Sequence, residues 1–158
     1  MTATTGAAVT GCRIGTDADD LAAVRAIRHA VFVAEQELFA GTDADAHDAD
    51  PATLHVLGTV GGVAAGTVRL FPLHDDPSGV WQGDRLAVLP EFRATGLGAP
   101  LVRFAVATAA AAGGTTMIAH VQLPNEVFFR RLGWARRGEP EIYVGHPHLL
   151  MEIDLQAG

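Results

Sequence analysis

The sequence contains no lysine, a single cysteine and no basic tract. Because Cys12 has no second cysteine to pair with, the chain cannot form an internal disulfide, and its position in a predicted first strand favours a small buried residue over a nucleophile. Without clustered positive charge, broad binding to nucleic acids or to anionic membranes is not expected. No apolar run reaches membrane-spanning length, and residues 1–9 lack the pattern of a signal peptide, so we expect a cytoplasmic protein.

The charge that is present is distributed unevenly along the 158 residues, whose formal net charge is −7. Residues 1–79 contain eleven acidic residues and four arginines, whereas residues 80–158 contain seven of each. The acidic half suits a cationic partner such as an amine, or it forms only a solvated surface that favours solubility, and the arginines of the second half suit an anionic cofactor. The length predicts one domain over residues 10–156, behind a flexible N-terminus of residues 1–9.

The most informative stretch, residues 81–101, predicts a strand, a turn and the start of a helix. Residues 85–89 form a short apolar run that ends at Pro90, which suits a buried strand. A helix is expected to begin near Gly96, and the small residues around it let a ligand approach the backbone closely. N–H groups at a helix N-terminus attract phosphate, and Arg93 can add a charge-assisted hydrogen bond. We therefore expect this loop to bind a pyrophosphate.

Arg93, Gly96 and Gly98 fill the signature of the GNAT superfamily of N-acetyltransferases, and the preceding Leu-Ala-Val-Leu-Pro-Glu-Phe-Arg run resembles the family's fourth strand and loop. The resemblance implies an α/β (α+β) GNAT fold, with a mixed, mostly antiparallel central sheet of about seven strands and flanking helices. It also implies a cofactor cleft between the splayed fourth and fifth strands, and acetyl-CoA or another acyl-CoA as co-substrate. The residues expected to bind the coenzyme are Leu86, Ala87, Val88, Arg93, Ala94, Thr95, Gly96, Leu97, Gly98, Ala99, Asn125 and Phe129.

Hydrophobic periodicity predicts the other elements of the chain. The predicted strands are residues 9–15, 53–60, 63–70, 115–123, 134–139 and 148–155, and the predicted helices are a first helix capped by Thr16 and Asp19, residues 97–113 and residues 126–132. Residues 71–79 are expected to form a loop, as is the segment that contains Tyr143, His146 and His148. Alternation in the strand of residues 115–123 places His120 and Gln122 on the side of a cleft.

The first helix is predicted to have two distinct faces. Leu21, Val24, Ile27, Val31 and Ala34 form its buried stripe, and Arg25, Arg28, Phe32, Glu35 and Phe39 form a second face of mixed character. After the helix, Asp43, Asp45 and His47 alternate as calcium ligands would, but Asp48 and Leu54 stand where that loop needs glycine and glutamate, so no metal site is expected. Arg69 is expected to meet the acids of the first helix, as a structural ion pair or as part of the acceptor pocket.

Residues 125–134 resemble the family's final helix, in which a tyrosine of many members protonates the leaving thiolate. Phe129 occupies that position and cannot donate a proton, so another group or water must act as the acid. The main chain of Leu86 and Val88 is expected, by resemblance, to bind the thioester arm, with the Val88 amide polarising its carbonyl. Asp84 is the first choice as general base, because many relatives carry a glutamate there. The candidate catalytic residues are Asp84, Glu35, His120 and Tyr143, with Glu37 as a further alternative.

The resemblance implies transfer of an acetyl group from acetyl-CoA to a small amine by direct attack. Two alternatives stay open: a non-catalytic acyl-CoA-binding sensor, and a lactone-forming acyltransferase. The second alternative comes from residues 31–39 and 43–48, which are similar to a subgroup that includes relatives of acyl-homoserine-lactone synthases. Residues 145–148, followed by Met151, are similar to a bacterial subgroup associated with nitrogen starvation. Whether the chain acts as a monomer or as a homodimer is left open.

Overall fold

The computed structural model describes residues 9–73, 79–143 and 145–155. Most of the predicted flexible N-terminus, residues 1–8, lies outside the described residues, as do residues 74–78 of the predicted loop. Within the described ranges, no helix combines the length and the apolar character that a membrane span requires.

The described residues form an eight-stranded sheet that is antiparallel except for one pair of neighbours. Its strands are β1 (Thr10–Ile14), β2 (Leu54–Val60), β3 (Val63–Pro72), β4 (Val80–Val88), β5 (Thr116–Gln122), β6 (Ala135–Arg136), β7 (Glu141–Tyr143) and β8 (His146–Asp154). The spatial order is β1-β2-β3-β4-β5-β8-β6, with β7 also paired to β8, and only β4 and β5 run parallel. The expected mixed, mostly antiparallel sheet is therefore confirmed.

One strand of the sheet, β7, comes from a segment that was predicted to be a loop. Tyr143 pairs with His146 and Glu141 pairs with His148, so β7 and the start of β8 form an antiparallel hairpin. The prediction of a loop containing Tyr143, His146 and His148 was wrong, because Gly145, with φ of +75°, allows a tight turn between the two strands. The hairpin holds these aromatic side chains on regular strands.

The first helix, α1 (Ala18–Arg28), continues without a break into a π-helix, His29–Glu35. Its cap is Asp17, whose side chain accepts a hydrogen bond from the Asp20 amide at 2.8 Å, so the predicted capping by Thr16 was wrong. Ala34 of the predicted stripe lies in the π-helix, whose wider turn changes the helical period, and it is exposed. Arg28 lies in α1 one α-helical turn after Val24, so it is buried on the same face as Val24 and Ile27.

Two further helices, α2 (Gly98–Ala111) and α3 (Glu126–Arg131), complete the main elements, and a 3₁₀ helix, Pro90–Thr95, precedes α2. Leu101, Val102 and Ala105 pack α2 on one face of the sheet, and α1 with the π-helix covers the other face. The approach of α2 is close, because a Cβ atom built on Gly66 in β3 would lie 2.9 Å from the Leu97 side chain. The two apolar layers place the helices on opposite sides of β4.

A bulge in β4 separates it from β5. Thr67 pairs with Ala87 and Arg69 pairs with Asp84, so the single residue between them on β3 faces two residues on β4. One of these, Arg85, has φ of +52°, in the left-handed region that non-glycine residues seldom adopt. Among the described residues, β4 and β5 pair only over Val80–Gln82 and residues 116–118. Beyond that point the strands diverge, because a bulge bends the strand that carries it.

Candidate active site

The divergence of β4 and β5 creates a cleft with a cavity of about 140 Å³. The cavity reaches both faces of the sheet, since Phe32 and Phe39 line it from the π-helix side and Val102 and Ala105 line it from α2. The other residues that line it are Leu38, Val68, Gly83, Asp84, Arg85, Leu86, Met117, Ala119, His120, Val121, Gln122, Asn125, Phe129, Trp134, Tyr143 and His148. The prediction that His120 and Gln122 face a cleft is confirmed.

The predicted pyrophosphate loop joins the 3₁₀ helix after β4 to α2, the helix from which Val102 and Ala105 line the cavity. Gly96 has φ of +79°, and a Cβ atom built there would meet nothing within 4 Å, so the loop surface is open. The helix begins at Gly98 instead of Gly96, because the preceding residues close a 3₁₀ helix. N–H groups in the first turn of a helix lack intrahelical acceptors, which leaves those of Gly98 and Ala99 for a ligand.

The guanidinium of Arg93 already has hydrogen-bond partners within the chain. Its Nε donates to the Val88 carbonyl at 3.0 Å, and its two terminal nitrogens donate to the Glu35 carboxylate at 2.6 and 2.5 Å. The hydrogen bond from Arg93 lowers the pKa of Glu35 below its ordinary value. Glu35, a predicted catalytic residue, is therefore held at the loop, and among the described residues it does not line the cavity.

The main chain at the end of β4 faces the cleft at alternate residues. Leu89 donates its N–H to the Ala65 carbonyl of β3 at 2.9 Å. Since successive residues of a strand direct their peptide groups to opposite sides, the peptide groups of Val88 point away from β3. The bond from Arg93 to the Val88 carbonyl agrees with this direction. The Val88 N–H is thus directed toward the gap between β4 and β5.

Three aromatic side chains from β5, β7 and β8 meet in the cleft. The rings of His120 and Tyr143 stack, with centroids 4.0 Å apart and planes inclined by 8°, and Tyr143 meets His148 edge to face at 5.4 Å. Nδ1 of His148 lies 2.9 Å from the His146 carbonyl oxygen. A carbonyl only accepts, so Nδ1 carries the hydrogen. His148 was missed as a site residue because it was placed where the predicted loop meets the predicted strand of residues 148–155.

The environment changes the acidity of two members of this group. Burial, together with the neighbouring His148, lowers the pKa of His120 below its ordinary value of 6.5. Burial, together with the negative charge of Asp84, raises the pKa of Tyr143 above its ordinary value of 10.0. At neutral pH, His120 is consequently an unprotonated imidazole that can accept a proton, and Tyr143 is a phenol that can donate one.

Asp84, the predicted base, is bound by a buried arginine. Nε and Nη2 of Arg69 each donate to one Asp84 carboxylate oxygen, both at 2.7 Å, and the Arg69 side chain is only 1% exposed. The remaining edge of the Arg69 guanidinium donates to Asp45 at 2.6 and 3.0 Å. The expectation that Arg69 meets the acids of the first helix was wrong, because its partners belong to β4 and to the segment after the π-helix.

The acidic segment is neutralised by arginines. Arg28 donates to Asp43 and to Asp48, both at 2.7 Å, and Arg85 donates to the Asp43 carbonyl at 2.9 Å while its guanidinium lies 4.6 Å from the Phe39 ring centroid. Burial alone would raise the pKa of Asp48, but the hydrogen bonds from Arg28 outweigh it and hold that pKa well below its ordinary value. We call the set of Arg28, Arg69, Arg85, Asp43, Asp45, Asp48 and Asp84 the arginine–aspartate network.

Phe129 and Trp134 form the inner wall of the cleft on the side of α3. The two rings are buried and meet edge to face with centroids 5.4 Å apart. Phe129 presents only carbon to the cavity, so it supplies no acid at the position of the family's tyrosine. The Trp134 indole N–H has no acceptor among the described residues. Asn125, a predicted ligand of the coenzyme arm, lies exposed on the rim.

Comparison with known proteins matches residues 15–134 to the acetyltransferase (GNAT) family. No curated protein matches the chain. Among solved structures, ElaA of Escherichia coli is similar with a TM-score of 0.80 and 21% identity, over 92% of this chain and 99% of that one. An acyl-CoA N-acyltransferase of Pseudomonas aeruginosa gives a TM-score of 0.78 and 22% identity, over 92% of this chain and 99% of that one.

A third similar structure is BjaI, a CoA-dependent acyl-homoserine lactone synthase that was solved with SAM and isopentyl-CoA. Its TM-score is 0.73 at 20% identity, over 88% of this chain and 77% of that one. At these identities the similarity establishes a common fold and leaves the substrates of the present chain to be argued from its own residues.

Proposed function

Because the chain belongs to the acetyltransferase (GNAT) family, we propose that it is an acyl-CoA-dependent N-acyltransferase that acylates a small amine, within a single domain over residues 10–156. The observation that carries this proposal is the cleft between β4 and β5, which is lined by His120 and Tyr143 and also by Val102 of α2, the helix whose first turn follows the loop. A coenzyme that is anionic at one end and reactive at the other matches this arrangement of charge and chemistry.

The pyrophosphate is proposed to bind at the loop of residues 93–99. There it meets the first-turn amides of α2, and Arg93 adds its guanidinium after leaving Glu35. The thioester arm then lies between β4 and β5 along the main chain of residues 86–88, with Asn125 at the rim. In this position the Val88 N–H, directed into the gap, donates to the thioester oxygen as negative charge develops on it.

The amine must lose a proton before its nitrogen can attack the thioester carbon. We assign this step to His120, whose imidazole is unprotonated at neutral pH, in preference to Asp84, whose two oxygens are engaged by Arg69. The nitrogen lone pair then forms the amide bond, and the carbon–sulfur bond breaks toward sulfur. Asp84 supplies a fixed negative charge at the cleft wall that favours a cationic amine.

The leaving thiolate needs a proton, and Tyr143 is the proposed donor. Its raised pKa keeps the phenol protonated through the neutral range. Stacking on His120 fixes the ring in the cleft, although it enters from β7 and not from α3, where the family's tyrosine lies. The proton that His120 removes from the ammonium replaces the one that Tyr143 gives to the thiolate, and the second proton that the nitrogen loses as the amide forms is released to water.

The coenzyme site is tested with a pair of matched glycine variants. Gly96→Asp places a carboxylate against the pyrophosphate at φ of +79°, and Gly113→Asp introduces the same strain and charge at φ of +90°, at the other end of α2. A built Cβ atom meets nothing within 4 Å at either position. Titration calorimetry with CoA should show binding lost in the first variant and retained in the second, with both folded by circular dichroism. Equal affinity in the two variants would remove the loop from the coenzyme site.

The base assignment is tested by turnover of acetyl-CoA with a panel of amines, followed by thiol release. His120→Gln should keep CoA affinity and lower kcat by about 10²-fold or more. In the parent, kcat/KM should fall as the pH drops below 6.5 and through the lowered pKa of His120. If Asp84→Asn shows this loss and His120→Gln does not, the base is Asp84, as the sequence predicted.

The principal alternative is a sensor that binds acyl-CoA without turnover, because Phe129 replaces the family's acid. Phe129→Tyr adds one hydroxyl at a buried position beside Trp134, and we expect a rate equal to or above that of the parent. Activity that appears only in the variant would instead identify the parent as a sensor that lost catalysis at this residue.

A lactone-forming acyltransferase is the second alternative, and it should be tested because the fold is similar to that of BjaI. Turnover that requires S-adenosylmethionine would favour it, whereas turnover with simple amines alone excludes that requirement. The likeness of residues 145–148 to a subgroup associated with nitrogen starvation names no acceptor, and it stays a prediction.

A further inference from the structure

The cavity of the cleft continues past the polar side chains into the core. Its inner part is bounded by Val68, Gly83, Val102, Ala105, Met117 and Trp134. Each of these residues is buried, and they come from β3, β4, α2, β5 and the turn that follows α3. The inner part therefore lies under α2, beyond the position proposed for the thioester.

A cavity at this place is unusual because protein interiors pack as closely as organic crystals, and empty space costs contacts. The walls offer carbon atoms almost throughout, the exception being the unpaired indole N–H of Trp134. Ordered water needs two or more polar partners, which such walls do not supply. The environment suits a flexible apolar group that enters from the cleft.

We propose that the inner cavity is an acyl-chain subsite, which takes a saturated acyl group longer than acetyl; this rests on the proposed function of the cleft. The cleft and its inner part together enclose about 140 Å³, which at about 30 Å³ each holds roughly four to five groups of the size of water or a methylene. This volume sets an upper limit of about four to six carbons on the acyl group. An acetyl group would leave the inner part empty.

Small and flexible residues determine how deep the subsite is. Ala105 presents only a methyl group from α2, where a larger side chain would fill the cavity. A Cβ atom built on Gly83 would lie 2.7 Å from the terminal methyl of Met117, so these two residues meet at the vertex where β4 and β5 diverge. Because a methionine side chain adapts to its surroundings, this end of the cavity can adjust to the chain that it binds.

The experiment is titration calorimetry with CoA, acetyl-CoA, butanoyl-CoA, hexanoyl-CoA and decanoyl-CoA. For the parent protein, we expect the affinity to rise by up to about fourfold with each added methylene as far as hexanoyl-CoA. It should stop rising, or fall, at decanoyl-CoA. Ala105→Leu should reduce the affinity for hexanoyl-CoA to that for acetyl-CoA while leaving acetyl-CoA unchanged. The matched control is Ala107→Leu, on the exposed face of the same helix, which should leave the whole series as in the parent.

A second variant, Gly83→Ala, narrows the vertex against the movable end of Met117 and tests the same point if Ala105→Leu does not fold. Equal affinity of the parent for acetyl-CoA and hexanoyl-CoA would overturn the acyl subsite and leave the proposed function intact. The same holds if Ala105→Leu alters the KM for the amine and not the selectivity among thioesters. Failure of the parent to bind CoA and every thioester would overturn both proposals.

Discussion

Arg69 and Arg93 each bind a carboxylate through two nitrogens, but the two side chains differ in their exposure to solvent. Arg69 binds Asp84 and Asp45 with a side chain that is 1% exposed, whereas Arg93 binds Glu35 with a side chain that is 44% exposed. Removing a partner from a buried ion pair leaves a charge without solvent, but an exposed charge is hydrated at once. The first arginine is thereby committed to the fold, and the second is available to a ligand.

The bulge in β4 belongs to the buried region, the one that contains Arg69. Arg85 holds a left-handed backbone angle beside Asp84, and its bonds to Asp43 tie the bulge to the arginine–aspartate network. The network thus fixes the wall of the cleft, while the loop at its end can exchange one anionic partner for another. One arginine therefore fixes Asp84 at the wall of the cleft, and the other makes an exposed contact that a ligand can replace.

The largest expected effect is on stability, when Arg69 is replaced. Arg69→Met removes the two hydrogen bonds that Arg69 donates to Asp84 and leaves Asp45 with Arg85 as its remaining arginine, and we expect a loss of about 3–5 kcal/mol in the free energy of unfolding. Urea denaturation measures it. Arg13→Met, which removes an exposed pair with Asp20, is the control and should cause no resolvable change. A small loss for Arg69→Met would mean that water reaches the network and that the contrast with Arg93 is false.

The second effect is the pH dependence of the stabilisation that Asp48 gives to the arginine–aspartate network. Asp48→Asn removes a carboxylate bound by Arg28, and we expect it to lower the free energy of unfolding by about 1.5–3 kcal/mol at pH 7. Because the pKa of Asp48 is lowered in the folded protein, its contribution is complete above the ordinary value of 3.8 and is lost as the pH falls below that value. The difference between parent and variant should therefore shrink from pH 4 downward, in denaturation series at each pH. A constant difference would show that the charge of Asp48 is not what stabilises the network.

At the loop, Arg93→Ala should act on ligand binding more than on folding. We expect the affinity for CoA to fall by about tenfold, because one charge-assisted hydrogen bond is lost while the helix amides remain. The free energy of unfolding should change by less than about 1 kcal/mol. Calorimetry and urea denaturation of the same preparation provide both values. A loss of stability without a loss of affinity would assign Arg93 to structure, as for Arg69.

The smallest effect has the opposite sign. Glu35→Gln removes the carboxylate that Arg93 must leave, so the affinity for CoA should rise, by up to about fivefold. Glu37→Gln, two residues on and also exposed, is the matched control and should leave the affinity unchanged. A weaker affinity in Glu35→Gln would indicate that Glu35 holds Arg93 in the orientation that binds the coenzyme.

Local patterns in the sequence predicted most strands, the helix that follows the loop of residues 93–97, and the cleft position of His120. These features depend on alternation and on glycine spacing, which neighbouring residues determine. The sequence did not predict the burial of Arg28 or the partners of Arg69, because the carboxylates that bind these two arginines are distant in the chain. His148 was missed for a related reason: its place in the cleft depends on a hairpin that only pairing across β7 and β8 reveals.

The short pairing of β4 with β5 has a consequence for how the sheet opens. Among the residues that the structure describes, three residue pairs join strands β1–β4 to strands β5–β8, whereas each half has long ladders of its own. In amide hydrogen exchange, the two halves should therefore behave as separate cooperative units, each with its own opening free energy. A ligand between β4 and β5 contacts both units, so it should slow exchange on the two sides of the cleft together.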